Sequence, residues 1–287
     1  VIRAALLPFN LLVAFWQSAR AILAERPDVV LGMGGYVSFP GGMMASLFKR
    51  PLAIHEQNSI AGLANKLLSR LADRVLQAFP DALPGAQLSG NPVRKEIAAL
   101  APPRERFGKR AGRLKLLVLG GSLGAQALNE TLPRALALLP EEARPEVTHQ
   151  AGEKNIEALR AGYAAAGVSA EALAFIDDMA RRYGDTDVVI CRAGALTVAE
   201  LACAGVASIL VPFPHAVDDH QTVNAKFLSA RGAALLLPQA ELSAQRLADL
   251  LRGFTRERLL DMAEKARALG RPDATEAVAR ACIELAK

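Results

Sequence analysis

Cys191-Arg192-Ala193-Gly194-Ala195-Leu196-Thr197-Val198-Ala199-Glu200 is the stretch whose reading decides the fold. The run Asp187–Ile190 delivers the chain into a small-residue turn at Arg192–Gly194, and a helix-like segment follows with one carboxylate, Glu200, about two turns in. A second apolar run, Ala207–Val211, leads into Pro212-Phe213-Pro214-His215 and then Asp218-Asp219-His220-Gln221-Thr222-Val223-Asn224. Two successive strand-to-helix turns thus put polar side chains at the carboxyl edge of a parallel sheet, where open α/β sheets bind ligands. A glutamate there can hold two ribose hydroxyls while helix N–H groups face a phosphate. An exposed helix position is the plainer alternative for Glu200.

Outward from this stretch the same alternation continues. Strands are predicted at 29–31, 52–55, 74–78, 114–119, 146–149, 187–190 and 207–211. Helices are predicted at 10–24, 60–71, 125–138, 154–166, 195–203, 221–230, 243–252, 255–268 and 274–285. Strands alternating with amphipathic helices imply parallel sheets wrapped by helices, an α/β fold. The length of 287 residues suits about two domains of roughly 150 residues each. The pattern breaks between Asn91-Pro92-Val93-Arg94 and Arg113, where Pro102 and Pro103 stand among Lys95, Arg104, Arg106, Lys109, Arg110 and Arg113. That composition reads as a linker. The predicted boundaries are an α/β domain over 1–95, a linker over 96–113, a second α/β domain over 114–270 and a closing helix within 271–287.

Composition narrows the function. With 52% hydrophobic and 22% charged residues the chain can bury sizeable cores. A net charge of +5 favours anionic partners without calling for nucleic acid, and no aromatic RNA-binding signature or dense basic run is present. Cys191, Cys203 and Cys282 have neither CxxC spacing nor an even count, which fits a reducing compartment and argues against structural zinc. The apolar stretch Ala4–Trp16 contains Pro8 and Asn10 and is too short to cross a bilayer.

Several segments could carry chemistry. Gly120-Gly121-Ser122-Leu123-Gly124-Ala125 follows a strand and opens a helix. Its glycines admit an anion close to the backbone and Ser122 adds a hydroxyl, although a ligand-free tight turn satisfies the same residues. It is not GxGxxG, so a dinucleotide is poorly supported. Gly32-Met33-Gly34-Gly35-Tyr36 invites the same two readings. His55-Glu56-Gln57-Asn58 closes a strand, and a histidine beside a glutamate suits proton transfer unless both merely satisfy backbone. Arg94 could reach a phosphate across a cleft or be a solvated helix-start residue. Asp177-Asp178 suits an N-cap. Asp218, Asp219 and His220 are metal ligands by type, but consecutive positions seldom converge on one ion, so neither a metal nor a cofactor is predicted. Neither GxSxG nor HExxH occurs, which leaves hydrolase readings without support.

Taken in order, Gly32–Tyr36, His55–Asn58, Gly90-Asn91-Pro92-Val93-Arg94, Gly120–Ala125, Phe175-Ile176-Asp177-Asp178-Met179, Cys191–Glu200 and Asp218–Asn224 make the chain resemble the MurG family of bacterial peptidoglycan glycosyltransferases. The match spans nearly the whole chain. The resemblance implies two Rossmann-like domains with parallel sheets facing a cleft, the GT-B type, with the donor held by the C-terminal half and the last helix returning to the N-terminal domain. It implies an inverting transfer of N-acetylglucosamine from UDP-N-acetylglucosamine to the C4 hydroxyl of the lipid I muramyl pentapeptide, giving lipid II. Phe175, Ile176 and Met179 would line the uracil pocket, Glu200 would bind the ribose hydroxyls, and Ser122 with Gly121 and Gly124 would take the diphosphate. Ala195, Leu196, Thr197, His220, Gln221 and Asn224 would surround the sugar and diphosphate, with Arg192 in reach. Gly34, Gly35, Tyr36, Asn58 and Arg94 fall on the acceptor side, and His55 and Glu56 are candidate bases.

The family also opens with a strand and a glycine-rich loop bearing a histidine, which has no match here. The N-terminal domain is therefore expected to be incomplete, the missing histidine is a further candidate base, and donor binding without turnover is an expected outcome. A lipid acceptor implies a peripheral place on the cytoplasmic face of the inner membrane, near other cell-wall synthesis proteins. Leu12, Phe15 and Trp16 share a helical face with Arg20 close by, which suits a membrane surface or packing on the domain's own sheet. A UDP-sugar epimerase on a similar fold and a non-catalytic nucleotide-sugar-binding remnant are the alternative functions.

Overall fold

Parallel pairing organises both sheets in the computed structural model, which describes residues 7–121 and 125–286. The chain divides into two units, residues 1–92 with 273–287, and residues 93–272. Among the described residues the first unit holds β1 (Val30–Gly32), β2 (Leu52–Glu56), β3 (Arg74–Gln77) and β4 (Gln87–Leu88), in the order β1-β2-β3-β4. Every residue of β2 is buried, as a strand covered on both faces requires. Helix Ala274–Leu285 belongs to this unit, and its Val278 and Ala281 pack with Leu76 of β3.

The second unit carries β5 (Lys115–Leu119), β6 (Glu146–Gln150), β7 (Glu171–Leu173), β8 (Val188–Cys191), β9 (Ala207–Leu210) and β10 (Ala234–Leu236). Their order is β10-β9-β8-β5-β6-β7, with every pair parallel. Strands β8 and β9 are buried throughout, which is why they read as apolar runs, with Ser208 alone polar within β9. Leu128, Leu132 and Leu136 of helix Gln126–Ala137 are fully buried in this unit's core with Leu116 and Val118. Each such leucine contributes about 1.5–3 kcal/mol of burial energy. The winding reverses between β5 and β8. That is the switch point at which the carboxyl ends of such sheets leave a crevice.

Several short elements escape the sequence pattern. Strands β4, β7 and β10 are two or three residues long, too short to show a period. Helix Ser38–Leu47 contains Pro40, Gly41 and Gly42, which normally break helices. Pro40 sits in the first turn, where its missing N–H costs nothing. A Cβ at Gly42 would lie 2.8 Å from both Leu68 methyl carbons, so the glycine permits close helix packing.

The segment 96–113 is not a free linker. It forms helix Pro103–Phe107 with turns on either side and is bound throughout to the second unit. Arg106 donates from Nε to Ala101 O at 2.9 Å, from Nη1 to Tyr183 O at 3.0 Å and from Nη2 to Gly205 O at 2.7 Å. Arg110 Nη1 lies 2.8 Å from Asp187 Oδ1, with its guanidinium over the Phe107 ring at 4.4 Å. The arginines that suggest a solvated linker in sequence are instead guanidinium forks seeking buried carbonyls and one buried carboxylate. Burial lowers the Arg106 pKa to about 10, which leaves it cationic at neutral pH.

Candidate functional site

The turns after β5 and β8 flank the switch point. After β5, Gly121 adopts φ 73°, and the Gln150 side chain at the end of β6 brackets it. Gln150 Oε1 accepts from Gly121 N at 3.1 Å, and Gln150 Nε2 donates to Gly121 O at 3.2 Å and Ala174 O at 3.1 Å. The Gly121 N–H is therefore engaged within the fold, and the residue serves through its left-handed turn. The expected phosphate partners Ser122 and Gly124 lie outside the described residues. After β8, Gly194 precedes helix Ala195–Ala204 and has no side chain with which to cap it. The N-terminal end of a helix favours negative charge.

Glu200 faces the crevice from that helix. Its carboxylate is 17% exposed and is held at both oxygens. Arg94 donates to Oε1 from Nη2 at 2.9 Å and from Nε at 3.3 Å, and the Tyr183 hydroxyl donates to Oε2 at 3.2 Å. Beneath lies the fully buried Cys191, whose thiol is pushed up to about 12 by burial and by the Glu200 charge, so it stays protonated. Together these residues border a cavity of about 230 Å³. Its walls unite Gly121, Phe175, Ile176, Met179, Arg192, Thr197 and Glu200, all read from the sequence as one set, and add Arg94, Gln150 and Tyr183. Asp178 caps the helix that carries Met179 and Tyr183 by accepting from Arg181 N at 3.0 Å.

A second cavity of about 720 Å³ shares Gly121 and Arg192 and includes Phe213, His215, Gln221 and Gln239. Arg192 donates to Val211 O at 3.2 Å, Pro212 O at 3.1 Å and Gln239 Oε1 at 2.6 Å. Its cation thus borders both cavities while tying down the loop after β9. Gln221 Oε1 accepts from Phe213 N at 2.9 Å in the same loop. Ala195, Leu196, His220 and Asn224 do not line these two cavities. Asn224 is fully buried and donates to Ala193 O at 3.2 Å, which braces the β8 turn from beneath.

Arg94 belongs to the second unit, as the residue preceding helix Lys95–Ala98, and it pairs with Glu200. The nearby Pro92 marks the change of unit, which sequence spacing alone places later.

In the first unit, Gly34 and Gly35 both have positive φ, 79° and 76°. A Cβ on Gly34 would meet Asn65 Nδ2 and Gln57 Oε1, each at 3.1 Å, so the turn sits close on polar side chains. Tyr36 beyond it is exposed. His55 and Glu56 are not arranged as bases. His55 is fully buried, and its Nε2 faces Gly90 O at 2.9 Å. A carbonyl only accepts, so Nε2 carries the proton and Nδ1 accepts from Gln57 Nε2 at 3.1 Å. Burial lowers the His55 pKa, which keeps this neutral tautomer. Glu56 accepts from Asn58 N at 2.9 Å, Gly62 N at 3.1 Å and Asn65 Nδ2 at 2.9 Å. Both side chains hold the loop after β2 in place. Asn58 enters that loop through its backbone N–H.

Residues 115–279 match the glycosyltransferase family 28 C-terminal domain, and residues 3–77 match the glycosyltransferase family 28 N-terminal domain. A relative from Nitrosospira multiformis is named UDP-N-acetylglucosamine–N-acetylmuramyl-(pentapeptide) pyrophosphoryl-undecaprenol N-acetylglucosamine transferase. It is 65% identical over 283 residues, 98% of this chain and 79% of the relative. The crystal structure of Acinetobacter baumannii MurG is similar at a TM-score of 0.87 and 42% identity, with 96% of this chain and 79% of that one covered. A UDP-GlcNAc 2-epimerase from Neisseria meningitidis, bound to UDP-GlcNAc, has a TM-score of 0.67 at 11% identity over 96% of this chain and 81% of its own, a likeness of fold alone.

Proposed function

This chain belongs to glycosyltransferase family 28, and we propose that it transfers N-acetylglucosamine, with inversion, from UDP-N-acetylglucosamine to the C4 hydroxyl of the undecaprenyl-diphosphate-linked muramyl pentapeptide. The observation that carries this reading is the cavity at the β5/β8 switch point, where an apolar wall of Phe175, Ile176 and Met179 faces the anchored carboxylate of Glu200. An apolar slot beside a fixed acceptor pair suits a flat base joined to a ribose diol. Transfer is preferred to epimerisation because the 65% identical relative carries the transferase name, whereas the epimerase likeness stands at 11%.

During inversion, positive charge develops on the sugar ring and negative charge on the departing diphosphate. The N-terminal end of helix Ala195–Ala204 and the Arg192 cation supply positive potential on the leaving-group side. This assignment uses no resident metal; UDP-N-acetylglucosamine is a substrate. His55 and Glu56, which both hold structural hydrogen bonds, are not assigned the acceptor proton in this reading. The turn Gly34–Tyr36 is assigned to the acceptor side.

A lipid acceptor calls for a peripheral place at the membrane. No helix among the described residues is long and apolar enough to cross one. Helix Leu7–Glu25 exposes Phe9, Leu12 and Trp16, with the Arg20 guanidinium 5.7 Å from the Trp16 ring centre. An exposed apolar face with a cation beside it suits an anionic lipid surface.

Calorimetric titration with UDP-N-acetylglucosamine, against UDP-N-acetylgalactosamine as control, tests the donor assignment. Binding that prefers the first sugar is expected. No binding of either sugar to a folded sample would overturn it.

A further inference from the structure

We propose that Tyr183 is a positioning residue that fixes the Glu200 carboxylate to receive two adjacent hydroxyls; this rests on the reading of the 230 Å³ cavity as the UDP-sugar site. Tyr183 is 0% exposed, among the largest fully buried side chains of the chain. A phenol at that depth needs a partner for its hydroxyl. The partner is Glu200 Oε2 at 3.2 Å, an oxygen that can only accept, so the hydroxyl hydrogen points at the carboxylate. Burial, with the neighbouring Glu200 charge, raises the Tyr183 pKa well above the usual phenol range, so the donor is never lost to ionisation.

The two clamps differ in kind. Arg94 grips Oε1 from a half-exposed position, where its long side chain can move with a ligand. Tyr183 grips Oε2 from the packed interior and cannot. A carboxylate offers about four lone-pair sites. Arg94 supplies two donors to Oε1 and Tyr183 one to Oε2, so Oε2 keeps an open site and Oε1 regains one when the half-exposed Arg94 shifts, on a side chain that lines the cavity. That is the acceptor pattern for a vicinal diol. A glutamate without these donors would have to freeze its torsions when ligand arrives, and prior fixation removes that cost.

The test is calorimetric binding of UDP and 2′-deoxy-UDP to wild type and Tyr183→Phe. Wild type is expected to prefer UDP by roughly tenfold or more, the scale of one charge-assisted hydrogen bond. In Tyr183→Phe, UDP binding should weaken roughly 3–10-fold while 2′-deoxy-UDP binding changes much less, so the preference shrinks. Equal weakening of both ligands, or no weakening of either, would overturn the positioning role. Lack of preference in wild type would overturn the nucleotide reading itself. In a Glu200→Ala background, which has no acceptor for the hydroxyl, Tyr183→Phe should leave the remaining preference unchanged, and a further drop there would also overturn the proposal. Should Tyr183→Phe fail to fold, 3-fluorotyrosine placed at position 183 keeps the packing and strengthens the donor. It should raise the preference for UDP, and an unchanged ratio would sink the idea.

Discussion

Arg94 Nη2 lies 2.9 Å from Glu200 Oε1, although 106 positions separate the two residues in the chain. The pair fastens the segment leaving Pro92 to the helix that follows β8, and its carboxylate is the one the cavity presents. A half-exposed ion pair adds little to stability, about 0–1 kcal/mol. Its consequence is orientation.

Replacement of Glu200 by glutamine keeps its size and an acceptor for the Tyr183 hydroxyl while removing the charge. Affinity for UDP-N-acetylglucosamine should fall by about 1–3 kcal/mol, the range for charge-assisted hydrogen bonds. Thermal stability should change little. Calorimetry beside a melting curve separates the two, and unchanged affinity would remove Glu200 from the donor site.

Asp187 presents the opposite case, a carboxylate that serves folding alone. It is 0% exposed, pairs with Arg110 at 2.8 Å and accepts from Lys115 N at 2.8 Å. Removal of one partner strands the other charge in the interior, at a cost of about 3–5 kcal/mol. Asp187→Ala should therefore lower the melting temperature of the second unit by roughly 6–20 °C, at about 2–4 °C per kcal/mol for a unit of this size. A loss below about 1 kcal/mol would mean that the pair is solvated.

The difference between these two carboxylates was only partly visible in the sequence. Glu200 stood out because it follows a buried strand and a small-residue turn, and Phe175, Ile176 and Met179 came with the resemblance. The grouping of Gly121, Phe175, Ile176, Met179, Arg192, Thr197 and Glu200 around one cavity was legible for that reason. Tyr183 and Gln150 were not, since their roles depend on contacts 17 and 29 positions away. The pairing of Arg94 with Glu200 was hidden for the same cause. The histidine beside a glutamate at β2 looked catalytic because sequence shows residue types without their partners. Gly90 O and Gln57 engage both His55 nitrogens in three dimensions, which sequence could not show. Strands β2, β5, β8 and β9 were plain because buried parallel strands are continuous apolar runs.

Acid stability should depend on His149. It is fully buried in β6, with Nδ1 2.9 Å from the Tyr163 hydroxyl and Nε2 3.0 Å from Asn129 Oδ1. Burial depresses its pKa from 6.5 to about 3. The folded state keeps this histidine neutral while the unfolded chain takes up a proton. Unfolding therefore binds more protons between about pH 6.5 and pH 3, and the stability this group leaves intact at neutral pH is lost as pH falls through that window. The slope from this one group is at most about 1.4 kcal/mol per pH unit. Denaturant unfolding of wild type and His149→Gln at pH 7 and pH 5 should show a smaller pH penalty in the variant, whatever its stability at pH 7. Equal penalties would assign the acid sensitivity to other groups.

Membrane association, if helix Leu7–Glu25 mediates it, should depend on the residues that are free to leave water. Leu12 and Trp16 are 69% and 62% exposed, whereas Phe15 turns inward and meets Phe39 edge-on at 6.2 Å. Phe15→Ser would therefore damage the first unit and confuse the result. Leu12→Ser with Trp16→Ser removes exposed apolar area alone, at about 25 cal/mol per Å² of surface that would otherwise enter the lipid interface. Sedimentation with vesicles rich in anionic phospholipid should show a several-fold loss of binding with an unchanged melting temperature. Salt should weaken what remains, since Arg20 supplies an electrostatic share. Undiminished vesicle binding by the double variant would place the membrane contact elsewhere on the molecule.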